Sequence, residues 1–247
     1  MTIVGERDAN PFFAQPLRDY VLHELGRPVR VLQAGCLAPL RELGIGQLEE
    51  GGFEVSVTLV EDDTPLARQV VSQIAAAYDD VLTGDLRTAA ITQRTFDVVY
   101  CASLLEHIRH TEIVLDHLVA ALTPGGLLMI RMSDRCAALA LLDRFLPSPL
   151  RKSLWKDLRP GFPGPFPAVY EKSVSERGIH SYTLVRGLVI VQHAAEPTLP
   201  ANRTRLSSSV RTVCGVISWL TRGRFGDDHD ELLYVIRKPQ DRFARVV

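Results

Sequence analysis

The sequence predicts an α/β fold, an open parallel sheet covered on both faces by helices. Two observations carry this. From residue 10 to residue 132, strand-length apolar runs alternate with amphipathic helical stretches, the pattern of a parallel sheet with helical crossovers. The first three strands also end in polar turns, at Gly35, Glu61 and Asp85, at the carboxyl edge where α/β sheets hold ligands.

Asn10 and Pro11 form an N-cap and first-turn pair, and Phe13, Leu17, Tyr20, Val21 and Leu25 recur at helical spacing until Gly26 and Pro28. Val29 to Gly35 is the first strand. Leu40 to Glu50 forms a short helix ended by Gly51 and Gly52, and Glu54 to Val60 is the second strand, delivering Glu61. Thr64 and Pro65 open a helix with Leu66, Val70, Ile74 and Ala77 on one face. Val81 to Asp85 is the third strand and Phe96 to Ala102 the fourth. Ile113 to Leu122 is helical, Pro124-Gly125-Gly126 ends it, and Leu127 to Met132 is the fifth strand. Beyond this the pattern loosens. Ala137 to Leu158 is helical with breaks at Pro147 and Pro149, and the proline-rich stretch from Arg159 to Pro167 is a loop. Val169 to Arg177 reads as a crossover helix closed by Gly178. Ile179 to Gln192 reads as a sixth strand with a bulge at Gly187, Ser207 to Leu220 as a helix, and Leu232 to Arg237 as a final strand.

Composition narrows the class. At 46% hydrophobic and 23% charged residues, the chain is an ordinary globular one. A net charge of −1 gives no overall attraction to nucleic acid or membrane, although arginines gather in 144–159 and 203–224. No apolar run reaches the roughly 20 residues of a membrane span, and the N-terminus, with Glu6, Arg7 and Asp8, lacks a signal-peptide core. Cys36, Cys101, Cys136 and Cys214 are widely spaced, as free thiols of a reducing compartment are, so the cytoplasm is the expected location. No His/Asp/Glu cluster has metal-ligand spacing, no Gly-x-Ser-x-Gly elbow is present, and no full Gly-x-Gly-x-x-Gly follows the first strand. An acid at the end of the second strand is placed to accept both hydroxyls of a ribose, so the spacing points to a nucleoside cofactor.

Four segments together carry a family resemblance: Leu32-Gln33-Ala34-Gly35-Cys36; Glu61; Gly84-Asp85-Leu86; and Phe96-Asp97-Val98-Val99 followed by Leu105-Glu106-His107-Ile108 and Leu122-Thr123-Pro124-Gly125-Gly126. In this order the chain resembles the class I S-adenosylmethionine-dependent methyltransferases, closest to the group called type 11, over roughly residues 10 to 132. The resemblance implies a Rossmann-like doubly wound sheet, mostly parallel with an antiparallel last strand, plus a helical cap. It implies cofactor contacts at Ala34, Gly35, Cys36, Glu61, Asp62, Asp85, Leu86, Cys101 and Ala102. Glu61 would bind the ribose hydroxyls and Asp85 the adenine side. Three departures stand in the first loop: Gln33 replaces the family's acid, Leu37 stands where a second glycine is expected, and Pro39 falls near a third. Losing a charge-assisted bond at Gln33 costs about 1–2 kcal/mol, roughly tenfold in affinity.

The expected organisation is an N-terminal helix over 1–28, a cofactor-binding core over 29–134, an insertion forming a substrate cap over 135–168, and completion of the core over 169–247 with a helical insertion near 203–224. The expected activity is methyl transfer from S-adenosylmethionine to a small molecule by in-line displacement. His107 is the candidate general base, with His110 behind it. Phe12, Phe13, Trp155, Phe162, Phe166 and Tyr170 are candidate walls of the acceptor site. The altered loop supports an alternative, a methyltransferase-like binding module or partner subunit without catalysis. A nucleic-acid substrate is disfavoured, because Cys101-Ala102-Ser103-Leu104 stands where base-amino methyltransferases carry an acid or Asn, two prolines and an aromatic.

Overall fold

The computed structural model describes residues 9–25, 27–37, 39–158, 164–197, 205–222, 224–226 and 228–240. Helix α1 (Pro11–Tyr20) starts where the Asn10 side chain accepts the Phe12 N–H at 3.0 Å, and a π-helical turn, Val21–Leu25, extends it. Strand β1 (Val29–Ala34) follows, then a 3₁₀ turn (Leu40–Leu43) and α2 (Ile45–Glu50), so the single helix expected over Leu40 to Glu50 is split. Gly44 in the left-handed region makes that break. Then come β2 (Val55–Glu61), α3 (Pro65–Ile74), capped by the Thr64 hydroxyl accepting the Ala67 N–H, and β3 (Asp80–Thr83). Strand β4 (Phe96–Ala102), α4 (Thr111–Ala121) and β5 (Leu122–Ser133) complete the regular half.

The second half holds α5 (Ala138–Phe145), α6 (Ser148–Leu158), α7 (Glu176–Val185), β6 (Val189–Glu196), α8 (Arg205–Leu220) and β7 (Glu231–Arg237). The seven strands lie in the order β3-β2-β1-β4-β5-β7-β6. The first five pair in parallel, and β7 runs antiparallel between β5 and β6. This is the mostly parallel, doubly wound sheet with an antiparallel last strand that the resemblance implies.

Alternate residues of each strand feed two apolar layers, as side chains on a pleated strand must. Val99 and Cys101 of β4 join Leu115 and Leu118 of α4 on one face. Val98 and Tyr100 join Phe13 and Leu17 of α1 on the other. Asp97, fully buried, ties the layers at the amino edge. It accepts two bonds from Arg27, at 2.5 and 3.0 Å, and one from the Arg30 N–H at 3.0 Å. At the carboxyl edge Arg131 bridges Glu42 and Glu231, and Glu42 also accepts the Tyr100 hydroxyl at 2.7 Å.

Three expectations are corrected. Ile179 to Gln192 is not one strand, and Val169 to Arg177 is not a helix. The helix there is α7, because Ser175 caps it by accepting the Gly178 N–H at 3.1 Å and Ile179, Tyr182 and Thr183 form its buried face. Gly187, at φ +65, lies in the turn after that helix and is no bulge. Residues ahead of α7 stay irregular because the Glu171 carboxylate caps the amino end of α4, accepting the His110 and Thr111 N–H groups. The third correction is at Pro124-Gly125-Gly126. Helix α4 has already ended at Ala121, and these residues lie within β5, where its register with β4 shifts. Of the expected loop from Arg159 to Pro167, residues 159–163, Phe162 among them, lie outside the described residues.

Candidate active site

The sheet order reverses between β1 and β4, and the carboxyl ends of these strands and of β2 open a crevice there. Gly35 leaves β1 at φ +99, and a Cβ on it would sit 2.6 Å from the Ala102 carbonyl oxygen. Only glycine lets the first loop run so close to β4. Ala34, Cys101 and Ala102 are buried in the sheet beneath this turn; they fix its position and line neither cavity described below. Gln33 is committed to the same turn. Its amide nitrogen donates to the Gly35 carbonyl at 2.9 Å, and the Tyr78 hydroxyl hydrogen-bonds to its side chain.

Glu61 ends β2 with 2% of its surface exposed. One carboxylate oxygen accepts the Cys36 N–H at 2.6 Å and the other its neighbour Asp62 N–H at 2.9 Å. Burial pushes its pKa above the usual carboxylate value, against the pull of these donors. Burial and Glu61 together push the Cys36 thiol up as well, which keeps it protonated and removes it as a nucleophile.

Beside Glu61 lies a cavity of about 330 Å³ with Asp62, Asp85, Leu86, Arg87, His107 and Ile108 in its walls. Asp85 is the exposed rim. Its carboxylate accepts the Arg87 backbone N–H at 2.9 Å and the Arg87 guanidinium at 2.6 and 2.8 Å, and this partner holds its pKa down to about 2. Asp62 is raised, first by burial and then by the charge of Asp85. Leu86, buried, is the apolar floor.

The far end of the crevice is nearly closed. Leu37 is buried in one apolar cluster with Trp155 of α6 and Phe166, whose rings stack at 5.7 Å. The space left beside Leu37, Glu61, Ser103 and His107 is about 40 Å³. Arg151 holds this cover in place, bonding the Asp143 carboxylate at 2.7 Å and the Phe166 carbonyl. His107 reaches both spaces. Its Nδ1 lies 2.8 Å from the Pro167 carbonyl oxygen, which only accepts, so in the neutral ring Nδ1 carries the proton and Nε2 is the basic nitrogen. His110 is instead a backbone element, at φ +58, with its N–H on Glu171.

The structure thus brings Glu61, Asp62, Asp85, Leu86 and His107 together, with Gly35 and Cys36 behind Glu61. Sequence reasoning missed Arg87, Tyr78 and Ser103. Arg87, two residues after Asp85, was findable from the acid-x-Arg spacing of an Asx turn. Tyr78 and Ser103 carry no such signal. Glu106 was also passed over for a role of its own: it is buried, accepts the Ser133 hydroxyl at 3.2 Å, and has one oxygen without a partner among the described residues.

Residues 38–128 match the family described as a methyltransferase domain. Over those residues the chain is similar to a methyltransferase domain, and the strand order and the crevice above agree with that likeness. Uncharacterized methyltransferases of Mycobacterium tuberculosis and Mycobacterium bovis are 33% identical to this chain over 99 residues, 40% of its length. That match spans 44% of those relatives' own length. Among solved structures, a putative sarcosine dimethylglycine methyltransferase from Galdieria sulphuraria superposes on this chain with a TM-score of 0.54 and 15% identity, covering 92% of this chain and 85% of its own. Phosphoethanolamine N-methyltransferase 2 of Haemonchus contortus, solved with S-adenosyl-L-methionine, gives 0.51 and 15%, covering 90% and 51%. At these identities the likeness is one of fold.

Proposed function

We propose that this protein transfers a methyl group from S-adenosylmethionine to a small-molecule acceptor. The observation that carries the reading is the preset carboxylate of Glu61, which lines the 40 Å³ space that shares Asp62, His107 and Ile108 with the neighbouring 330 Å³ cavity. Its oxygens accept the Cys36 and Asp62 N–H groups and the Cys36 thiol, which fix the carboxylate at the strand end where it would meet the ribose hydroxyls. Asp62 and Asp85 would hold the nucleoside from the rim, Leu86 would supply the apolar contact, and the Ala34–Cys36 turn would back the site. The cofactor, when bound, supplies an already activated methyl group on a sulfonium.

What the chain adds is alignment and exclusion of water, the terms that dominate a displacement of this kind. Trp155 and Phe166 shut the acceptor end from solvent. Because about 40 Å³ holds roughly one water, this pair and Leu37 must yield before a methionine-sized group enters. His107 Nε2 would take the proton of a hydroxyl acceptor. A buried, protonated Cys36 argues against a covalent route.

Calorimetric titration with S-adenosylmethionine and, separately, S-adenosylhomocysteine tests the reading. Saturable binding that weakens about tenfold or more in Glu61→Ala supports it. The absence of binding to either ligand at about millimolar concentration overturns it. The seating of Leu37 under Trp155 and Phe166 favours a second reading, a binding module that holds a protein partner and no cofactor. A stable co-purifying partner together with no cofactor binding would select that reading.

A further inference from the structure

Helix α8 carries two apolar faces, and among the described residues only one is packed. Cys214 and Ile217 pack inward on Ala138, Leu139 and Leu142 of α5. Val213, Val216, Trp219 and Leu220 point away, with Trp219 78% and Leu220 66% exposed. At 100° per residue these four span an arc of about 120° on the outer side. A large exposed apolar stripe marks an interaction surface, and the charge around it selects the partner. From Pro197 to Gly226 the sequence holds Arg203, Arg205, Arg211, Arg222 and Arg224 and no acidic residue; acids resume at Asp227. The chain as a whole carries −1, so this segment is a cationic island on a weakly anionic protein.

We propose that α8 docks on a bilayer surface that bears anionic lipid headgroups. The apolar stripe, with a tryptophan near its end, enters the headgroup boundary while the arginines contact lipid phosphates, the design of an interfacial helix. Self-association would bring together two copies of this cationic segment, which opposes it. Among the described residues no helix is long and apolar enough to cross a membrane, so the contact is peripheral.

The test is co-sedimentation of the full chain with vesicles of phosphatidylcholine containing about one-third phosphatidylglycerol, against vesicles of phosphatidylcholine alone. Binding is expected to the anionic vesicles only, and to fall about tenfold between roughly 0.1 M and 0.5 M salt. The double variant Trp219→Ser, Leu220→Ser removes exposed side chains and leaves the core intact, and it is expected to weaken binding about tenfold. Arg222→Asn with Arg224→Gln, which suits the left-handed backbone at Arg222, is expected to weaken it similarly. The chain has two tryptophans, and Trp155 is buried, so a vesicle-induced blue shift of emission reports on Trp219 and disappears in Trp219→Phe. Failure to bind anionic vesicles overturns the proposal, as does binding that the Ser variant leaves unchanged. A concentration-dependent dimer abolished by the Ser variant, with no vesicle binding, assigns the face to a second copy instead.

Discussion

Replacing Glu61 with glutamine is expected to strengthen the ligand-free protein at alkaline pH and to weaken ligand binding. The Glu61 carboxyl group is buried, receives two N–H bonds, and has the like charge of Asp62 beside it. Burial, the largest influence, raises its folded-state pKa above the unfolded value. The folded chain therefore holds the proton more tightly than the unfolded one. The resulting stabilisation is complete below the unfolded pKa and is lost as pH rises through the folded value. Glu61→Gln removes that loss. The amide oxygen still accepts from Cys36, while the amide nitrogen faces the Asp62 N–H and forfeits that bond, at about 1 kcal/mol. Across the titration window the variant gains on the parent by up to about 1.4 kcal/mol per pH unit, which is about 3–6 °C in Tm for a domain of this size. Scanning calorimetry without ligand from about pH 5 to about pH 8 reads the difference. The variant should melt at or below the parent at the acid end and above it at the alkaline end. A difference that stays flat with pH refutes the reasoning that Glu61 is a desolvated, poorly compensated carboxylate. In the same variant S-adenosylhomocysteine should bind about ten- to hundredfold more weakly, since bonds to a charged acceptor are worth about 1.5–3 kcal/mol each.

Gly35→Ala places a Cβ 2.6 Å from the Ala102 carbonyl at φ +99, and a loss of about 2–4 kcal/mol is expected in urea unfolding. Arg27→Ala strands the fully buried Asp97 with only weaker donors; because the Arg27 head is 41% exposed, the cost should fall near 3 kcal/mol, read as a lower urea midpoint. His107→Ala should cut kcat about 100-fold or more with a hydroxyl acceptor while leaving S-adenosylhomocysteine affinity within about threefold; an unchanged kcat would reduce His107 to a tether for Pro167.

Part of the first half of the fold was legible because two of its helices announced their start. Asn10-Pro11 and Thr64-Pro65 place a capping side chain before a proline, and both cap as expected. The strand order and the antiparallel last strand came from the family likeness; the periodicity alone gave neither. Around Ile179 the local signals conflicted. An apolar run with a glycine in it resembles a bulged strand, and the cap that decides otherwise is the less conspicuous Ser175. Gly178, taken as a helix end, is in fact inside α7, where a Cβ would lie 2.4 Å from the Lys172 carbonyl oxygen. In the site, Gly35, Glu61 and Asp85 were legible because strand ends are positions that chemistry constrains. The stacking of Trp155 and Phe166 over Leu37 was not, since it joins residues more than a hundred positions apart with no periodic signal. Gln33 looked like a lost charge and is a brace for its own turn.

The place of β7 bears on how the chain can be assembled. It sits between β5 and β6, and Arg131 meets Glu231 a hundred residues later. During synthesis, strands β1 to β5 can pair as they emerge, but the outer edge of β5, with Leu127, Met129 and Ile130 on it, stays open until residue 237 has left the ribosome. Strand β6 has no place to attach before then, because its partner in the sheet is β7. An unpaired apolar edge is a template for wrong pairing. Premature termination anywhere from α5 to α8 would therefore yield a sheet with a sticky margin, a substrate for chaperones and proteases, and not a smaller working domain.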